Sequence, residues 1–512
     1  MLREHVEIFL SPDKGRGLRC KKNGPPIKAG TLIIEEDSYC FTLLEGQEEK
    51  RCHYCLEEQS PKLLLTCPKC LSAKYCDEEC QRRPPPTYAA CRCPARANFP
   101  CKLPAVPPPV AALTVPTSRA CPPEAAHKEH LSECDGYRRL MKLPFHLRLL
   151  GRILYRQSTR KYEQGALGPL SDLCSHIEEL KDSTELKTQL QKLSRNVNED
   201  ILPDRDQLEI LYGKTTCNCF SIHNLDLGEI GVGMYPQAAM MNHSCKSNCV
   251  VTYRGPRLQI RALVDIQPGE EVYHSYAEKG HNTRERRDEL SKYFFECQCS
   301  HCLDTDRDGT MMSVKCPSCR AQVKPNSNER YVKCSSCGYT DFSAEFYEDL
   351  EVYIQYADDV NHKPRVWATD ILFTNIVKNC LVELDKILHP DNIHTVRILG
   401  GAFAAAVKLE EWAKAINYGK RLERVFVLYL PPNEPDIGLL YYKMGKAYYH
   451  LDDLDNALAS FRKAKKMLGI AYGRDSQLAD YAQEWLELCG DYGSSSEEDE
   501  TDINSEIDRK SS

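Results

Sequence analysis

Apolar and polar positions alternate over the first 45 residues, which predicts β-strands. Within this stretch Asp13–Leu18 predicts a tight turn, and the apolar run after Ala29 and Gly30 predicts the next strand. Residues 136–210 instead carry apolar positions at a helical spacing. These positions share one face and are Leu140, Leu143, Leu147, Leu150 and Ile153. The pattern predicts a β-rich start followed by helices that pack into a core.

A second helical stretch, residues 345–490, is repetitive. Trp412 corresponds to Leu454, which lies 42 residues later, and Ala415 corresponds to Ala457 at the same interval. The large and small positions around them fit the tetratricopeptide pattern. Helix pairs that repeat in this way stack into a superhelical array with a concave face. We therefore expect an all-α array in the C-terminal part.

Length and composition limit the number of domains and the class of protein. A chain of 512 residues has room for roughly two to four domains. Its net charge of −7 gives no general attraction to nucleic acid. No apolar run reaches the roughly 18 residues that span a bilayer, so we expect no membrane segment. Residues 491–512 are acidic, which predicts a disordered tail with candidate phosphorylation sites at its serines.

The 27 cysteines are the strongest chemical signal. We expect an intracellular protein, in which thiols stay reduced and clustered cysteines bind metal rather than form disulfides. Fifteen of them fall into zinc-binding patterns. The other twelve, such as Cys20, Cys40, Cys174 and Cys380, are expected to be small buried apolar residues.

The first zinc pattern begins at residue 52. It offers eight ligands, enough for two interleaved zinc ions: Cys52, Cys55, Cys67, Cys70, Cys76, Cys80, His130 and Cys134. A proline-rich insert, residues 82–126, interrupts it and is expected to be disordered, with a gene-model artefact as the alternative. Four cysteines of the insert compete as ligands of the second zinc: Cys91, Cys93, Cys101 and Cys121.

The most informative motif is the run Asn242-His243-Ser244-Cys245. It precedes a Gly-Glu-Glu strand that leads to Tyr276, and then the C-x-C-x2-C group of Cys297, Cys299 and Cys302. Tetrahedral zinc takes four ligands, and this group supplies only three. Cys245 is the natural fourth ligand. The metal would then hold the Asn-His loop against a segment far away in sequence.

A further pattern, Cys316, Cys319, Cys334 and Cys337, has the spacing of a zinc ribbon. We expect it to bind one structural zinc. Its expected role is to stiffen the link to the C-terminal helices, and a docking surface is the alternative.

Together these motifs resemble the SET and MYND domain-containing (SMYD) lysine methyltransferases. The chain departs from that family in its long insert, in His127 where a tryptophan is expected, in Cys174 where an acidic or amide residue is usual, and in its extra ribbon. The resemblance implies an α+β multidomain fold with a split, β-rich SET domain. The expected parts are the SET N-terminal part (1–45), the MYND finger (46–135), a helical insertion (136–210), the SET core (211–277), the post-SET zinc site (278–303), the ribbon (310–342), the tetratricopeptide-like array (345–490) and the tail (491–512).

The resemblance also implies the chemistry: transfer of a methyl group from S-adenosylmethionine to a lysine side chain. Tyr276, Phe220 and Tyr293 would line the lysine channel, with Tyr276 positioning the amine. An apolar aromatic channel suits this reaction because desolvation lowers the pKa of the lysine and confinement aligns it. The implied cofactor-binding residues are Lys14, Arg16, Gly17, His176, Asn218, Asn242, His243, Tyr276 and Phe295, alongside about four zinc ions.

The expected substrates are histone tails or other lysine-bearing proteins, methylated by a monomer in the nucleus and cytoplasm with a role in transcription. A scaffold with a degenerate SET core, whose MYND finger and repeats recruit partners such as proline-rich peptides, is the alternative. The intact Tyr276, Asn242 and His243 favour the enzyme. Weak DNA binding through the lysines and arginines of the finger is a minor third reading.

Overall fold

The computed structural model describes residues 5–11, 14–82, 128–159, 170–362 and 370–490. The insert cysteines, His127 and the acidic tail lie outside the described residues. The strands are β1 Val6–Ser11, β2 Gly15–Cys20, β3 Leu32–Asp37, β4 Cys40–Leu43, β5 Leu65–Thr66, β6 Lys74–Tyr75, β7 Cys219–His223, β8 Glu229–Met234, β9 Asn242–His243, β10 Cys249–Arg254, β11 Arg257–Ala262, β12 Tyr273–His274, β13 Val314–Lys315 and β14 Gln322–Val323. The helices are α1 Glu78–Arg82, α2 Lys128–Leu140, α3 Phe145–Thr159, α4 Ile177–Leu180, α5 Thr184–Ser194, α6 Arg205–Asn218, α7 Thr283–Leu290, α8 Ser300–Leu303, α9 Thr305–Met311, α10 Ala344–His362, α11 Asp370–Ile387, α12 Ile393–Lys408, α13 Trp412–Tyr429, α14 Pro435–Tyr449, α15 Leu454–Tyr472 and α16 Gln477–Leu488.

The β-rich part is assembled from two distant stretches of the chain. Strand β3 pairs with β11 in the sheet β10-β11-β3, and β4 pairs with β8 in the sheet β4-β8-β7. Asp37 and Arg257, 220 residues apart, form an ion pair at 2.6 Å between these stretches. Ile33, Ile34 and Ile260 are fully buried between the strands. Burial of these side chains stabilises the split sheet by roughly 1.5–3 kcal/mol for each.

The first hairpin differs from its prediction. A tight turn was expected over Asp13–Leu18, but Gly15–Leu18 belong to β2 and pair with β1. The expectation is wrong because Leu18 and Cys20 are fully buried on one face of this strand, whereas the two glycines suggested a turn. Gly15 has a φ of +71°, so the change of direction is completed at the first residue of β2.

The predicted apolar face of residues 136–210 is confirmed. All five predicted positions are buried in one cluster formed by α2, α3, α5 and α6, which packs against β4 and β8. Helix α5 begins after Ser183, whose hydroxyl accepts hydrogen bonds from the amides of Glu185 and Leu186. Lys214 of α6 donates to the carbonyls of Leu170 and Ser171, which fastens the preceding loop.

The C-terminal array has the predicted period. Helices α12, α14 and α16 begin at Ile393, Pro435 and Gln477, and α13 and α15 begin at Trp412 and Leu454. Both series advance by 42 residues. Sequential helices pack as antiparallel neighbours, with Phe461 and Ala457 fully buried between them. Within the part of the chain that the structure describes, no helix is long and apolar enough to cross a membrane.

The array is joined to the β-rich part by side chains from both. Helix α15 contacts β10 and β11, and Asn433 donates to the carbonyl of Leu263 at 2.8 Å. Lys279 Nζ lies 2.5 Å from Glu434 Oε1, and both side chains are almost fully buried. These contacts make the array one wall of a cleft whose other wall is the SET part.

Candidate active site and zinc centres

Four clusters of Cys and His side chains bring their ligand atoms within 4.8 Å of one another. Tetrahedral zinc with Zn–S bonds of about 2.3 Å requires sulfur atoms nearly 4 Å apart. Six of the thiol pairs in these clusters are separated by 3.4–3.9 Å, so the four donor sets fit zinc. The clusters are Cys52/Cys55/Cys76/Cys80, Cys67/Cys70/His130/Cys134, Cys245/Cys297/Cys299/Cys302 and Cys316/Cys319/Cys334/Cys337.

All sixteen predicted ligands lie in these clusters, and the first two interleave as expected. The second cluster is complete without the cysteines of the insert. Of the described cysteines predicted to be buried apolar residues, Cys20, Cys40, Cys249 and Cys380 are buried, and Cys217, Cys219 and Cys489 are partly buried. Cys174 is exposed, so the prediction is wrong for it. It lies in the irregular segment before α4.

The ribbon cluster is seated on the helical array. Lys315 donates to the carbonyl of Asp385 at 2.6 Å, and the Arg320 guanidinium donates to the carbonyls of Asp385 and Lys386 at 2.7 and 2.6 Å. These carbonyls belong to the last turn of α11, which has no further intrahelical donor. The ribbon therefore caps α11, and its expected role in stiffening the link to the array stays a prediction.

The third cluster brings the Asn-His loop to the aromatic residues predicted for the lysine channel. The short strands β9 and β12 run parallel, with Asn242 beside Tyr273 and His243 beside His274. The backbone N–H of Tyr276 donates to His243 Nδ1, and His243 Nε2 lies 3.1 Å from Cys245 Sγ. One ring thus connects a zinc ligand to Tyr276.

Three aromatic side chains predicted for the channel lie close together, joined by a fourth. The ring centroid of Tyr276 lies 5.1 Å from that of Tyr293 and 4.7 Å from that of His274. Phe220 stacks on His274 at 5.3 Å. The hydroxyl of Tyr276 donates to the carbonyl of Met241. Burial raises the pKa of Tyr276 well above its usual range, so the phenol stays neutral.

His274 is the channel residue that the sequence did not indicate. It is 5% exposed, and burial, followed by the neighbouring His243, lowers its pKa to about 3. Its Nδ1 lies 3.2 Å from the carbonyl of Ser275, and its Nε2 is buried without a hydrogen-bond partner among the described residues. A neutral ring that donates from Nδ1 leaves Nε2 as an unused acceptor. Its place directly after the Gly-Glu-Glu strand was the available signal.

The predicted cofactor residues form a second group on β2 and β9. A Cβ added to Gly17 would lie 2.6 Å from Asn242 Nδ2 and 2.8 Å from Glu271 Oε1. Asn242 Nδ2 donates to Glu271 Oε1 at 2.7 Å, and Glu271 also accepts from the hydroxyl of Tyr273. Lys14 Nζ lies 3.2 Å from that hydroxyl. A side chain at position 17 would therefore displace the ends of the Asn242 and Glu271 side chains, and Glu271 is a further residue of this group.

The remaining predicted cofactor residues are Arg16, His176, Asn218 and Phe295. Arg16 forms an exposed ion pair with Asp172 at 3.3 Å, and Asn218 Nδ2 donates to the carbonyl of Cys174 at 2.8 Å. His176 stacks on Phe294 at 5.0 Å, a partner that the sequence analysis did not include. Phe295, also predicted to bind the cofactor, has its ring centroid 5.8 Å from that of His243 and is 39% exposed. Arg16, Asn218 and His176 therefore meet at the segment that contains Asp172 and Cys174, whereas Phe295 lies beside the Asn-His loop.

The chain is similar in sequence to known proteins. The SET domain family matches residues 15–277, which is just over half of the chain. The chain belongs to the SET domain family. It is similar over nearly its whole length to N-lysine methyltransferase SMYD2-A of Danio rerio, at 24% identity over 94% of this chain and 98% of the relative. Human N-lysine methyltransferase SMYD2 is 23% identical over 92% of this chain and 95% of its own length. Human histone-lysine N-methyltransferase SMYD3 is 26% identical over 94% and 97%.

Two predictions from the sequence are thereby confirmed. The chain is a SET and MYND protein, with the split SET fold, the zinc-binding clusters and the C-terminal helices of that group. It is a protein-lysine methyltransferase that uses S-adenosylmethionine. Its substrates are therefore proteins.

Proposed function

We propose that this SET protein methylates lysine at the mouth of the Tyr276 channel, on a protein segment that lies in the cleft between the SET part and the helical array. The observation that carries this proposal is the aromatic group of Tyr276, Tyr293, Phe220 and His274, all of which line one large cleft. The cleft has a volume of about 1230 Å³, room for several residues of an extended peptide.

Cleft walls come from both parts of the molecule. Phe220 and Tyr253 stand on the SET side, whereas Val396 and Asp436 belong to α12 and α14 of the array. A substrate between them touches both parts at once, so the relative position of the array decides which proteins fit.

Tyr276 is proposed to position the lysine amine rather than to remove its proton. Its hydroxyl hydrogen is already donated to Met241, and its raised pKa keeps it protonated, so it cannot act as a base near neutral pH. The remaining lone pairs of Oη face away from that bond and accept a hydrogen bond from the amine. Burial raises the pKa of Tyr293 to about 12, so the second phenol is also neutral. A channel of neutral aromatic groups favours the uncharged amine that attacks.

S-adenosylmethionine supplies an activated methyl group when bound. Gly17, Asn242 and His243 are proposed to hold its methionine end and amino group, since a side chain at Gly17 would collide with Asn242. Lys14 and Arg16 are proposed to bind its carboxylate. Asn218 is proposed to contact the ammonium of the same amino-acid end, because its amide N–H groups already donate to the carbonyls of Cys174 and Lys214 and only its Oδ1 remains free to accept.

The adenine end is proposed to meet His176 and Phe295. Phe295 is partly exposed next to His243, and His176 stacks on Phe294 nearby in the same wall. Planar, partly solvent-exposed rings suit a planar base.

Histone tails and other lysine-bearing proteins of the nucleus and cytoplasm are the proposed substrates, with a consequence for transcription. The name of human SMYD3 refers to histone lysine, which supports the first class. We further propose that the protein acts as a monomer and that its MYND finger recruits proline-rich segments. Binding to DNA is a weaker proposal, supported only by the lysines of the finger.

The test is methyl transfer from labelled S-adenosylmethionine to a histone mixture and to peptide arrays. Tyr276→Phe is expected to lower the rate at least about a hundredfold while cofactor affinity measured by calorimetry stays within about twofold. Tyr339→Phe, in the ribbon, is the matched control and should keep the full rate. Equal loss of rate and cofactor affinity in Tyr276→Phe would make the tyrosine structural. Failure of the wild type to bind the cofactor would favour the scaffold.

A further inference from the structure

Four polar side chains form one continuous hydrogen-bonded network beside the Asn-His loop. Lys14 Nζ lies 3.2 Å from the hydroxyl of Tyr273, and that hydroxyl donates to Glu271 Oε2 at 2.6 Å. The other carboxylate oxygen, Oε1, accepts from Asn242 Nδ2 at 2.7 Å. We call these four residues the Glu271 network. It connects the residue before β2 with β9 and β12, three segments that are distant in sequence.

The direction of each hydrogen bond in the Glu271 network follows from the chemistry of its members. An ammonium group can only donate, so the Tyr273 hydroxyl accepts from Lys14 and gives its own hydrogen to Glu271. The carboxylate accepts at both oxygens, so the group of Asn242 that faces it must be the NH2 group. Asn242 Oδ1 therefore points away from Glu271.

The backbone holds the two central side chains in place. Asn248, which is buried, donates from Nδ2 to the carbonyl of Glu271 at 2.9 Å. Its Oδ1 accepts from the backbone N–H of Tyr273 at 2.8 Å. Between them, the N–H of Val272 donates to the carbonyl of Leu18 in β2 at 2.9 Å. Glu271 and Tyr273 therefore extend from a backbone that is fastened on both sides.

The Glu271 network presents one donor group and one acceptor group to a ligand. Lys14 uses one N–H on Tyr273, so its ammonium keeps two further N–H groups for an anion. Asn242 offers Oδ1 to a cation. Gly17 lies directly beside the Asn242–Glu271 hydrogen bond, because an added Cβ would lie 2.6 Å and 2.8 Å from its two atoms. A cation and an oriented carbonyl in one network suit an α-amino acid, which carries a carboxylate and an ammonium on one carbon.

We propose that Glu271 and Tyr273 are positioning residues for the amino-acid end of S-adenosylmethionine. Glu271 turns the Asn242 amide so that Oδ1 receives the ammonium of the cofactor, and Tyr273 ties this carboxylate to Lys14. The inference rests on the proposed function, which places Asn242 and Lys14 at this end of the cofactor. Both residues act through their neighbours, so their removal changes recognition of the ammonium rather than of the whole cofactor.

The experiment measures binding, so it does not depend on turnover. Full-length protein is titrated by calorimetry with S-adenosylhomocysteine and with its deaminated analogue, in which a hydrogen atom replaces the α-amino group. The ratio of the two affinities isolates recognition of the ammonium. We expect the wild type to bind S-adenosylhomocysteine at least about tenfold more tightly than the analogue.

Glu271→Gln keeps the size of the side chain and reverses the preferred amide orientation. The carbonyl oxygen of the new amide accepts from Tyr273, so its NH2 group faces Asn242 and attracts Oδ1. We expect the ratio to fall below about threefold, whereas affinity for the deaminated analogue stays within about twofold. Glu270→Gln is the matched control and should keep the full ratio, because the exposed Glu270 only accepts from the N–H of Gln267.

Tyr273→Phe removes one oxygen atom and keeps the ring. Glu271 then loses one of its two side-chain donors and Lys14 loses its acceptor. We expect the ratio to fall at least about threefold, again with little change for the deaminated analogue. This milder variant decides the question if Glu271→Gln does not fold, which zinc content and melting temperature of the same samples reveal.

Two outcomes would overturn the inference. One is an equal loss of affinity for both ligands, which would make Glu271 and Tyr273 supports of the fold alone. The other is a ratio that stays at the wild-type value in both variants. Methyl transfer to histone peptides separates this question from the proposed function: a protein that shows the expected ratios but never methylates lysine would contradict the latter alone.

Discussion

The backbone N–H of Tyr276 donates a hydrogen bond to Nδ1 of His243 at 2.9 Å. The other nitrogen of the same ring lies 3.1 Å from the sulfur of Cys245. A histidine that accepts at Nδ1 must carry its proton at Nε2, which then points at the zinc-binding thiolate. The zinc site and the proposed catalytic tyrosine therefore share one rigid connection.

His243→Ala is expected to break this connection without removing a zinc ligand. We expect the methylation rate to fall at least about tenfold, because the Tyr276 backbone loses its acceptor and its position drifts. Zinc content, measured by mass spectrometry of the metal, should remain at the wild-type value. Loss of zinc together with the rate would show instead that the ring is needed to build the metal site.

Cys245→Ser is expected to release one zinc and to weaken cofactor binding about tenfold or more, since the Asn-His loop is held by that metal. Cys319→Ser is the matched control. It should also release one zinc, from the ribbon, yet leave cofactor affinity unchanged. Calorimetry and metal analysis on the same samples decide the matter, and unchanged metal content in Cys245→Ser would contradict the assignment of this ligand.

Gly17→Ala is expected to lower cofactor affinity at least about tenfold, because its Cβ would lie 2.6 Å from Asn242 Nδ2 and displace that side chain. Gly400→Ala offers a control, since no atom lies within 4 Å of a Cβ at that position. Its affinity should match that of the wild type. If the two alanine variants bind the cofactor equally, Gly17 has no part in the cofactor site.

The zinc sites were predictable because short, regular spacings encode them, and all sixteen predicted ligands come together. The 42-residue period of the array was readable for the same reason: identical packing recurs along the chain. Both patterns are local, or repeat at a fixed interval.

The contact between the SET part and the helical array was not predictable in this way. Lys279 and Glu434 are separated by 155 residues, and only the docking of the array on the SET part brings them together. His274 was missed because a histidine in a strand gives no sign of which side it faces. The turn expected at Asp13–Leu18 is replaced by strand β2 from Gly15 onward, because tertiary burial of Leu18 outweighed the local preference of two glycines.

Strand β3 can pair with β11 only after β11 has been synthesised, and Asp37 precedes its partner Arg257 by 220 residues. At typical rates of about 5–20 residues per second, the ribosome needs roughly 10–40 seconds to synthesise that interval. The eight ligands of the MYND finger, residues 52–134, are synthesised before Arg257, whereas the third cluster is complete only at Cys302. The two zinc sites of the finger are therefore complete on the nascent chain before the zinc site beside the active site can form.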